Sequence, residues 1–250
     1  MVSFNYTDPT FRRVKPYEIV SLFYDDMMEH VNYREWAEYV ELLINRYNLP
    51  YHDLLEIAAG TGKFADYFSY PMVGMDRYLP MLKKYKQRHP DHQVVVEKMP
   101  ELKSIKAQSF SGVLILYDSI NYIVPGSDWR LFFEKVNDIL KPEGWLLFDI
   151  VTQYCCKKYF MDDMIEEQFR DIHYKRIIKY DEGNSIQHNF FFVTTEFGKF
   201  MEHHRQFIPN ARWITSELKR SGFKKIYQFH EFSLKNPNSR SLRIHFLARK

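Results

Sequence analysis

The chain has 250 residues, 45% of them hydrophobic, 17% aromatic and 27% charged, which excludes a disordered segment, a collagen-like repeat and a disulfide-framed miniprotein. Lys and Arg number 35 against 32 Asp and Glu, leaving a net charge of +3. Such a surplus points to no nucleic-acid partner, because phosphate binding needs clustered basic residues. The length predicts one α/β core with an elaboration.

The two cysteines, Cys155 and Cys156, are adjacent and cannot staple distant loops, so a reducing compartment and ordinary thiols are expected. No run reaches the roughly 18 apolar residues of a membrane span. Residues 1–15 lack the apolar core of a signal segment, and the expectation is a soluble, cytoplasmic protein.

In chain order, apolar residues at helical spacing from Pro16 to Tyr47, among them Leu22, Phe23, Trp36, Val40 and Leu43, predict two leading helices. Short apolar runs then alternate with helical stretches at Asp53–Ala58, Phe64–Phe68, Met72–Met75, Pro80–Arg88, Gln93–Glu97 and Gly112–Tyr117. The rhythm continues with a helix over Trp129–Leu140, the breaker Lys141-Pro142-Glu143-Gly144 and a strand over Trp145–Val151. Alternating β and α elements predict a parallel sheet with helices on both faces. From Gln168 the pattern changes: Ile172, Tyr174, Ile178 and Tyr180 alternate with polar residues up to a turn at Asp181–Asn184, and Ile186, His188, Phe190 and Phe192 alternate beyond it. This predicts an antiparallel hairpin, continued by a third strand over Phe200–Ile208. A helix over Arg212–Arg220 and closing strands over Lys225–Leu234 and Ser241–Ala248 end the chain.

The stretch Leu54 to Ala65 (LLEIAAGTGKFA) reads as a strand, a glycine turn and the start of a helix. Small residues at Ala58, Gly60 and Gly62 let a ligand approach the backbone, and a helix start would add N–H donors and positive dipole. Asp76 closes the next strand 16 residues after Gly60, near the spacing at which doubly wound folds place the acid that grips a ribose. Gly60-x-Gly62-x-x-Ala65 also fits the dinucleotide fingerprint, so the loop alone leaves open a nicotinamide enzyme, an adenosyl enzyme and a turn without ligand. The ordered set of Glu56, glycine loop and Asp76 argues for a ligand.

With these residues in place, the chain resembles the class I S-adenosylmethionine-dependent methyltransferases, in their small-molecule branch. Glu56 to Gly62 is similar to the family's first motif, Gly74 to Leu82 to its second, Tyr117 to Tyr122 to the motif after the fourth strand, and Leu140 to Trp145 to the turn before the fifth. Phe23-Tyr24-Asp25 with Tyr33 and Trp36, and Ser241 to Phe246, are similar to the same branch. The likeness covers most of the chain and is weak only between about Gln153 and Phe207. It implies an α/β fold with a doubly wound, seven-stranded mixed sheet, N-terminal helices and an inserted antiparallel β lid. The implied divisions are a helical cap at 1–48, a cofactor-binding core at 49–152, the lid at 153–208, and closing elements of the core at 209–250.

The resemblance implies S-adenosylmethionine as cofactor, with Glu56 and the Ala58–Gly62 backbone on its amino-acid end, Asp76 on its ribose, and Arg77 and Met81 flanking adenine. Tyr24, Tyr33, Trp36, Met99, Tyr117, Asp118 and Ser119 complete the implied cofactor set, although plain core packing would also explain the helical aromatics. One position departs from the family: Lys98 stands where an acid usually accepts from the adenine amino group, and lysine only donates. Glu97 or backbone would then take that role, or adenine recognition would be looser.

A sulfonium methyl group is already a strong electrophile, so alignment of a nucleophile, worth roughly 7–11 kcal/mol, suffices without a triad. No nucleophile elbow is present in the sequence. Open α/β sheets keep ligands at the carboxyl ends of their strands, which makes Asn121 and Tyr122 candidate acceptor-binding residues together with His188 and Arg205 of the lid. Tyr122 and His203 are the candidate catalytic groups. The lid face bearing Ile186, Phe190 and Phe192 needs covering, and it is expected to fold over the cofactor mouth and select the substrate. No metal is expected, since His203 and His204 point to opposite faces of a strand and His89 and His92 lack a second ligand pair.

The expected function is methyl transfer to a small molecule. Residues Gln168 to Arg205 carry six Lys/Arg against five Asp/Glu, too balanced to track a phosphate backbone, which disfavours an RNA or protein methyltransferase. A non-catalytic cofactor-binding protein, signalled by Lys98, and a nicotinamide oxidoreductase are the remaining alternatives.

Overall fold

The computed structural model describes residues 8–124 and 128–250. Its elements in chain order are β1 (Arg12–Val14), α1 (Tyr24–Met27), α2 (Tyr33–Arg46), β2 (Leu54–Ile57), β3 (Met72–Asp76), α3 (Leu79–Arg88), β4 (Val94–Val96), β5 (Phe110–Ile115), α4 (Asp128–Ile139) and β6 (Leu140–Val151). There follow α5 (Gln153–Tyr159), β7 (Asp162–Phe169), β8 (Ile172–Asp181), β9 (Ile186–Thr195), β10 (Gly198–Phe207), α6 (Ala211–Arg220), β11 (Lys225–His230) and β12 (Arg243–Arg249). They form two compact units, one of residues 31–155 and 207–250, the other of residues 156–206 with the N-terminal segment up to His30.

The larger unit holds a seven-stranded sheet in the order β11-β12-β6-β5-β2-β3-β4. Strands β2 to β6 are mutually parallel, and β12 runs antiparallel to both β6 and β11. The central strands are apolar runs rather than alternating ones because both faces are covered; Leu54, Leu55, Val113, Leu114, Leu146, Leu147 and Phe148 are all solvent-inaccessible. On one face Trp129, Phe132, Phe133 and Val136 of α4 and Ile214 and Leu218 of α6 pack on Leu55, Val113, Leu146 and Phe148. Strand order reverses at β2, which has β3 and β4 on one side and β5 and β6 on the other. That reversal opens a crevice at the carboxyl ends of β2 and β5.

Two local expectations for this unit are corrected. Residues 63–67 form turns rather than a helix, with Phe64 and Phe68 in contact at 4.9 Å between ring centroids, so no helix dipole stands behind the glycine loop. The Lys141–Gly144 breaker does not interrupt β6: Glu143 takes a left-handed φ of 61°, and the pairing with β5 slips between Phe110↔Leu140 and Gly112↔Trp145.

The smaller unit is a five-stranded sheet in the order β1-β10-β9-β8-β7. The predicted hairpin is β8 and β9, paired from Asp181↔Ile186 to His173↔Thr194 and closed by Asp181, whose carboxylate accepts from Asn184. Strand β7 precedes it, where no strand is expected from the sequence. The leading pair of helices is reduced to α2, preceded by a 3-10 turn at Val20–Leu22 and the single turn α1. The reason lies outside the local sequence. The buried carboxylate of Glu202 on β10 accepts backbone N–H groups from Tyr17 at 2.7 Å, Ile19 at 2.6 Å and Val20 at 2.9 Å, drawing the chain around itself with Tyr17 at a left-handed φ of 66° that no right-handed helix passes through.

Val20 and Phe23 then cover Tyr174, Phe191 and Val193 on one face of the sheet, so the N-terminal segment belongs with the antiparallel strands and not with a cap spanning 1–48. Glu202→Ala is expected to cost about 3 kcal/mol or more, since each orphaned buried donor costs about 1–3 kcal/mol. Chymotryptic cleavage near Tyr17 and Phe23 should accelerate at least tenfold, with Glu202→Gln intermediate; an unchanged cleavage rate would remove Glu202 as the anchor.

Candidate active site

At the carboxyl end of β2 the chain passes through three left-handed residues, Ala58 (φ 59°), Gly60 (φ 56°) and Gly62 (φ 80°). The N–H groups of this turn are largely spent within the chain, Ala59 on the Met75 carbonyl at 2.9 Å and Gly62 on the Ala59 carbonyl at 3.1 Å, so what the turn offers a ligand is close approach to a backbone without bulky side chains. Gly62 and Gly74 are both required by the buried Tyr85 ring, because a Cβ would lie 2.7 Å from it at Gly62 and 2.8 Å at Gly74. Asp76, at the end of β3, ties the loop down: its Oδ2 accepts the Gly60 N–H at 3.0 Å and its Oδ1 the Tyr78 N–H at 2.9 Å. Burial raises its pKa, opposed by the hydrogen bonds from Tyr78, Gly60 and Arg77.

Glu56 is the most informative side chain. It is 4% exposed, its Oε2 is buried with no hydrogen-bond partner, and its pKa is pushed up to about 8, first by burial and then by the charge of Asp76. A buried carboxyl with an unused oxygen next to a glycine loop fits an ammonium or other donor group of a ligand.

Beyond β5, Tyr117 (φ 57°) and Asp118 (φ 49°) are consecutive left-handed residues, a strained geometry that surrounding structure must impose. Asp149 and Arg243 impose it. Asp149 Oδ2 accepts the Asp118 N–H at 2.8 Å and an Arg243 guanidinium hydrogen, and Arg243 also donates to Asp118 Oδ1 at 2.9 Å. The guanidinium lies 5.1 Å from the Tyr117 ring centroid and 5.4 Å from that of Trp36. Trp36 is 5.8 Å from Tyr117, and Lys63 stands 6.0 Å from the Tyr33 ring, so the start of α2 flanks both the glycine loop and the end of β5.

The remaining expected cofactor residues are placed unevenly. Arg77 is exposed with its guanidinium 4.8 Å from the Tyr78 ring, Met81 is 2% exposed beneath α3, and Met99 packs against the core. Lys98 turns to Glu101 at 2.9 Å. Glu97 Oε2 accepts the Ser104 N–H and hydroxyl, both at 2.8 Å, whereas Oε1 accepts only the Lys98 N–H at 2.9 Å and keeps a second lone pair for a ligand donor. Ser119 donates to the Leu116 carbonyl at 2.8 Å. Tyr24 lies in the smaller unit, packed on the Val20 and Phe23 cluster.

Of the acceptor-side residues, Tyr122 is half-buried beside Asn121. Asn121 is fully buried and donates to the Phe207 carbonyl at 2.5 Å, while its Oδ1 has no hydrogen-bond partner. His188, His203 and Arg205 sit together on the antiparallel unit. His188 Nδ1 lies 2.9 Å from His203 Nε2, and the His203 pKa falls to about 4, first through burial and then through His188, Arg13 and Arg205. Among the described residues no cluster of three or more His, Cys, Asp or Glu forms a metal-ligand set, and no helix is long and apolar enough to cross a membrane.

Asp149, Arg243 and Tyr85 escaped the reading of the sequence. A lone acid inside the apolar run Leu146-Leu147-Phe148-Asp149-Ile150 was the available signal for Asp149, because a buried carboxylate demands a partner.

A doubly wound sheet ordered this way, with an acid and a glycine loop after one strand and a second acid after the next, defines a class I S-adenosylmethionine-dependent methyltransferase. The chain belongs to the methyltransferase-domain family, whose model matches residues 27–228. The protein named "Putative methyltransferase YqeM" of Bacillus subtilis (strain 168) is 29% identical over 245 residues, covering 94% of this chain and 97% of its own. Among solved structures, an S-adenosylmethionine-dependent methyltransferase of Clostridium acetobutylicum ATCC 824 is similar with a TM-score of 0.76 at 20% identity, over 91% of this chain and 96% of its own. The sugar N-methyltransferase KedS8 of Streptoalloteichus sp. ATCC 53650 is similar with a TM-score of 0.71 at 16% identity, over 98% and 96%.

Proposed function

We propose that the enzyme methylates a nitrogen or oxygen of a small-molecule acceptor by in-line displacement, with Glu56, the Ala58–Gly62 backbone and Asp76 holding the cofactor. The unpartnered Glu56 oxygen carries this assignment of the cofactor site. When bound, S-adenosylmethionine supplies the activated methyl group. Glu56 then faces the amino-acid end and Asp76 the ribose, while Trp36, Tyr117 and the Asp118–Asp149–Arg243 network fix the wall at the end of β5. Tyr122 is the group in this unit best placed to orient the acceptor. His203 is a weak candidate for the base, because a group held near pKa 4 has little drive to take a proton at neutral pH. The likeness to a sugar N-methyltransferase supports a small acceptor.

Incubation with methyl-labelled S-adenosylmethionine and a cell extract, followed by separation by size, tests the acceptor class. Label in the small-molecule fraction is expected. Label only in RNA or protein would replace this reading, and no cofactor binding would leave a non-catalytic protein.

Glu56 also predicts a pH dependence. With its carboxyl neutral below about 8 and ionised opposite an ammonium group, ligand binding releases a proton, so affinity for S-adenosylhomocysteine should rise with pH through the neutral range. Calorimetry in buffers of different ionisation enthalpy should register release of close to one proton. Glu56→Gln should abolish that release, and a wild-type protein that releases none would place the ammonium elsewhere.

A further inference from the structure

We propose that Asp66, Arg88 and His89 are positioning residues for cofactor binding, a clamp that holds the outer side of the glycine loop where a helix would otherwise anchor it. The role rests on the reading that places the cofactor at Glu56, the loop and Asp76, and it assigns residues that act on the loop rather than on the ligand. A helix running on from the loop would satisfy the Thr61 and Gly62 carbonyls with the N–H groups of Ala65 and Asp66, four residues on. Residues 63–67 form turns instead. Side chains at the end of α3, 27 residues away, donate to those carbonyls: Arg88 Nε lies 3.3 Å from the Thr61 oxygen and His89 Nε2 3.0 Å from the Gly62 oxygen.

Asp66, on the turn that follows the loop, aims both donors. Its Oδ2 accepts from Arg88 at 3.0 Å, and its Oδ1 lies 3.1 Å from His89 Nε2. That one histidine nitrogen faces two acceptors, the Gly62 carbonyl and the Asp66 carboxylate, so it must carry a hydrogen. The ring is itself held. It stacks on His92 at 4.8 Å between centroids and 16° between planes, and His92 Nδ1 lies 3.1 Å from the Tyr85 hydroxyl. The edge of the His89 ring also closes on the glycine, 3.1 Å from where a Gly62 Cβ would stand. On the inner side Asp76 accepts the Gly60 N–H at 3.0 Å and the Met75 carbonyl accepts the Ala59 N–H at 2.9 Å. The left-handed turn is thus gripped by its N–H groups from within and by its carbonyls from without. A loop fixed before the ligand arrives loses less freedom on binding, and the clamp therefore sets cofactor affinity.

Two substitutions separate the N–H of His89 from its ring. His89→Gln retains an N–H donor at similar reach, whereas His89→Phe retains a ring against His92 and has no donor. Loss of a hydrogen bond that orders the loop should weaken S-adenosylhomocysteine binding about tenfold in His89→Phe, with His89→Gln within about threefold of the parent in calorimetry. In hydrogen exchange of the ligand-free proteins, peptides covering residues 58–66 should exchange about tenfold faster in His89→Phe while those from β5 and β6 keep the parental rate. Arg88→Met, at a side chain 34% exposed, should produce both changes at about threefold, and it carries the test if His89→Phe does not fold. A parent that binds no S-adenosylhomocysteine overturns the cofactor assignment and this role with it. A parent that binds, with His89→Phe equal to it in affinity or in loop exchange, overturns the clamp alone. So does a His89→Gln variant as impaired as His89→Phe, which would assign the effect to packing of the ring.

Discussion

Arg243→Ala is expected to destabilise the larger unit by about 3–5 kcal/mol, the usual result of stripping the partner from a buried charge. Asp149 is fully buried, its Oδ1 has no partner, and its Oδ2 relies on Arg243 and the Asp118 N–H. A chain of this size loses about 2–4 °C in Tm per kcal/mol, so a fall of roughly 6–20 °C should appear in thermal unfolding. The effect depends on pH with a definite sign. Burial, opposed by Arg243, raises the Asp149 pKa to about 6, above its value in the unfolded chain, so the native state holds the extra proton. The stability from that proton is present at acid pH and lost as pH rises through about 6. Without Arg243 the native pKa climbs further, so the variant's deficit is larger at pH 8 than at pH 5. Asp149→Asn added to Arg243→Ala should recover a substantial part of the loss at pH 8. A deficit independent of pH, or simple additivity of the two substitutions, would show that packing of the arginine stem on Trp36 and Tyr117 matters more than its charge.

Asp76→Ala is expected to weaken S-adenosylhomocysteine binding by roughly ten- to a hundredfold, from loss of charge-assisted bonds worth about 1.5–3 kcal/mol. Asp76 acts in two ways that the variants separate. Its oxygens already accept the Gly60 and Tyr78 N–H groups, and each has a second lone pair for a ribose hydroxyl. Asp76→Asn keeps one acceptor oxygen but substitutes an amide N–H₂ for the other, and should fall between the parent and the alanine variant in calorimetry. Equal affinities for all three proteins would move the ribose contact to another residue.

Much of the candidate cofactor site was legible in the sequence because its parts are local. Glu56, the Ala58–Gly62 turn and Asp76 occupy one strand-turn unit and the end of the next strand, and their residue types follow from backbone conformation and ligand chemistry. On the expected adenine side, Met81 is buried, Lys98 pairs with Glu101, and one Glu97 oxygen holds Ser104. Nothing local shows onto which side chains a loop folds back. The charge count of Gln168 to Arg205 is blind to placement for a related reason. A count along the chain averages two faces of a sheet, whereas alternation gathers Lys175, Lys199 and Arg205 on the His203 side and puts Glu202 on the other.

The sequence by itself determined the α/β class, the parallel strands of the core, the β8–β9 hairpin and the glycine loop, because hydrophobic period and turn chemistry act over a few residues. Tertiary structure alone decided which partner each buried charge finds. Glu202 takes the N–H of Tyr17 from 185 residues away, and Arg243 reaches Asp149 across 94. A buried carboxylate must be satisfied by whichever donor strand register delivers, and that register exists only once the sheets have formed.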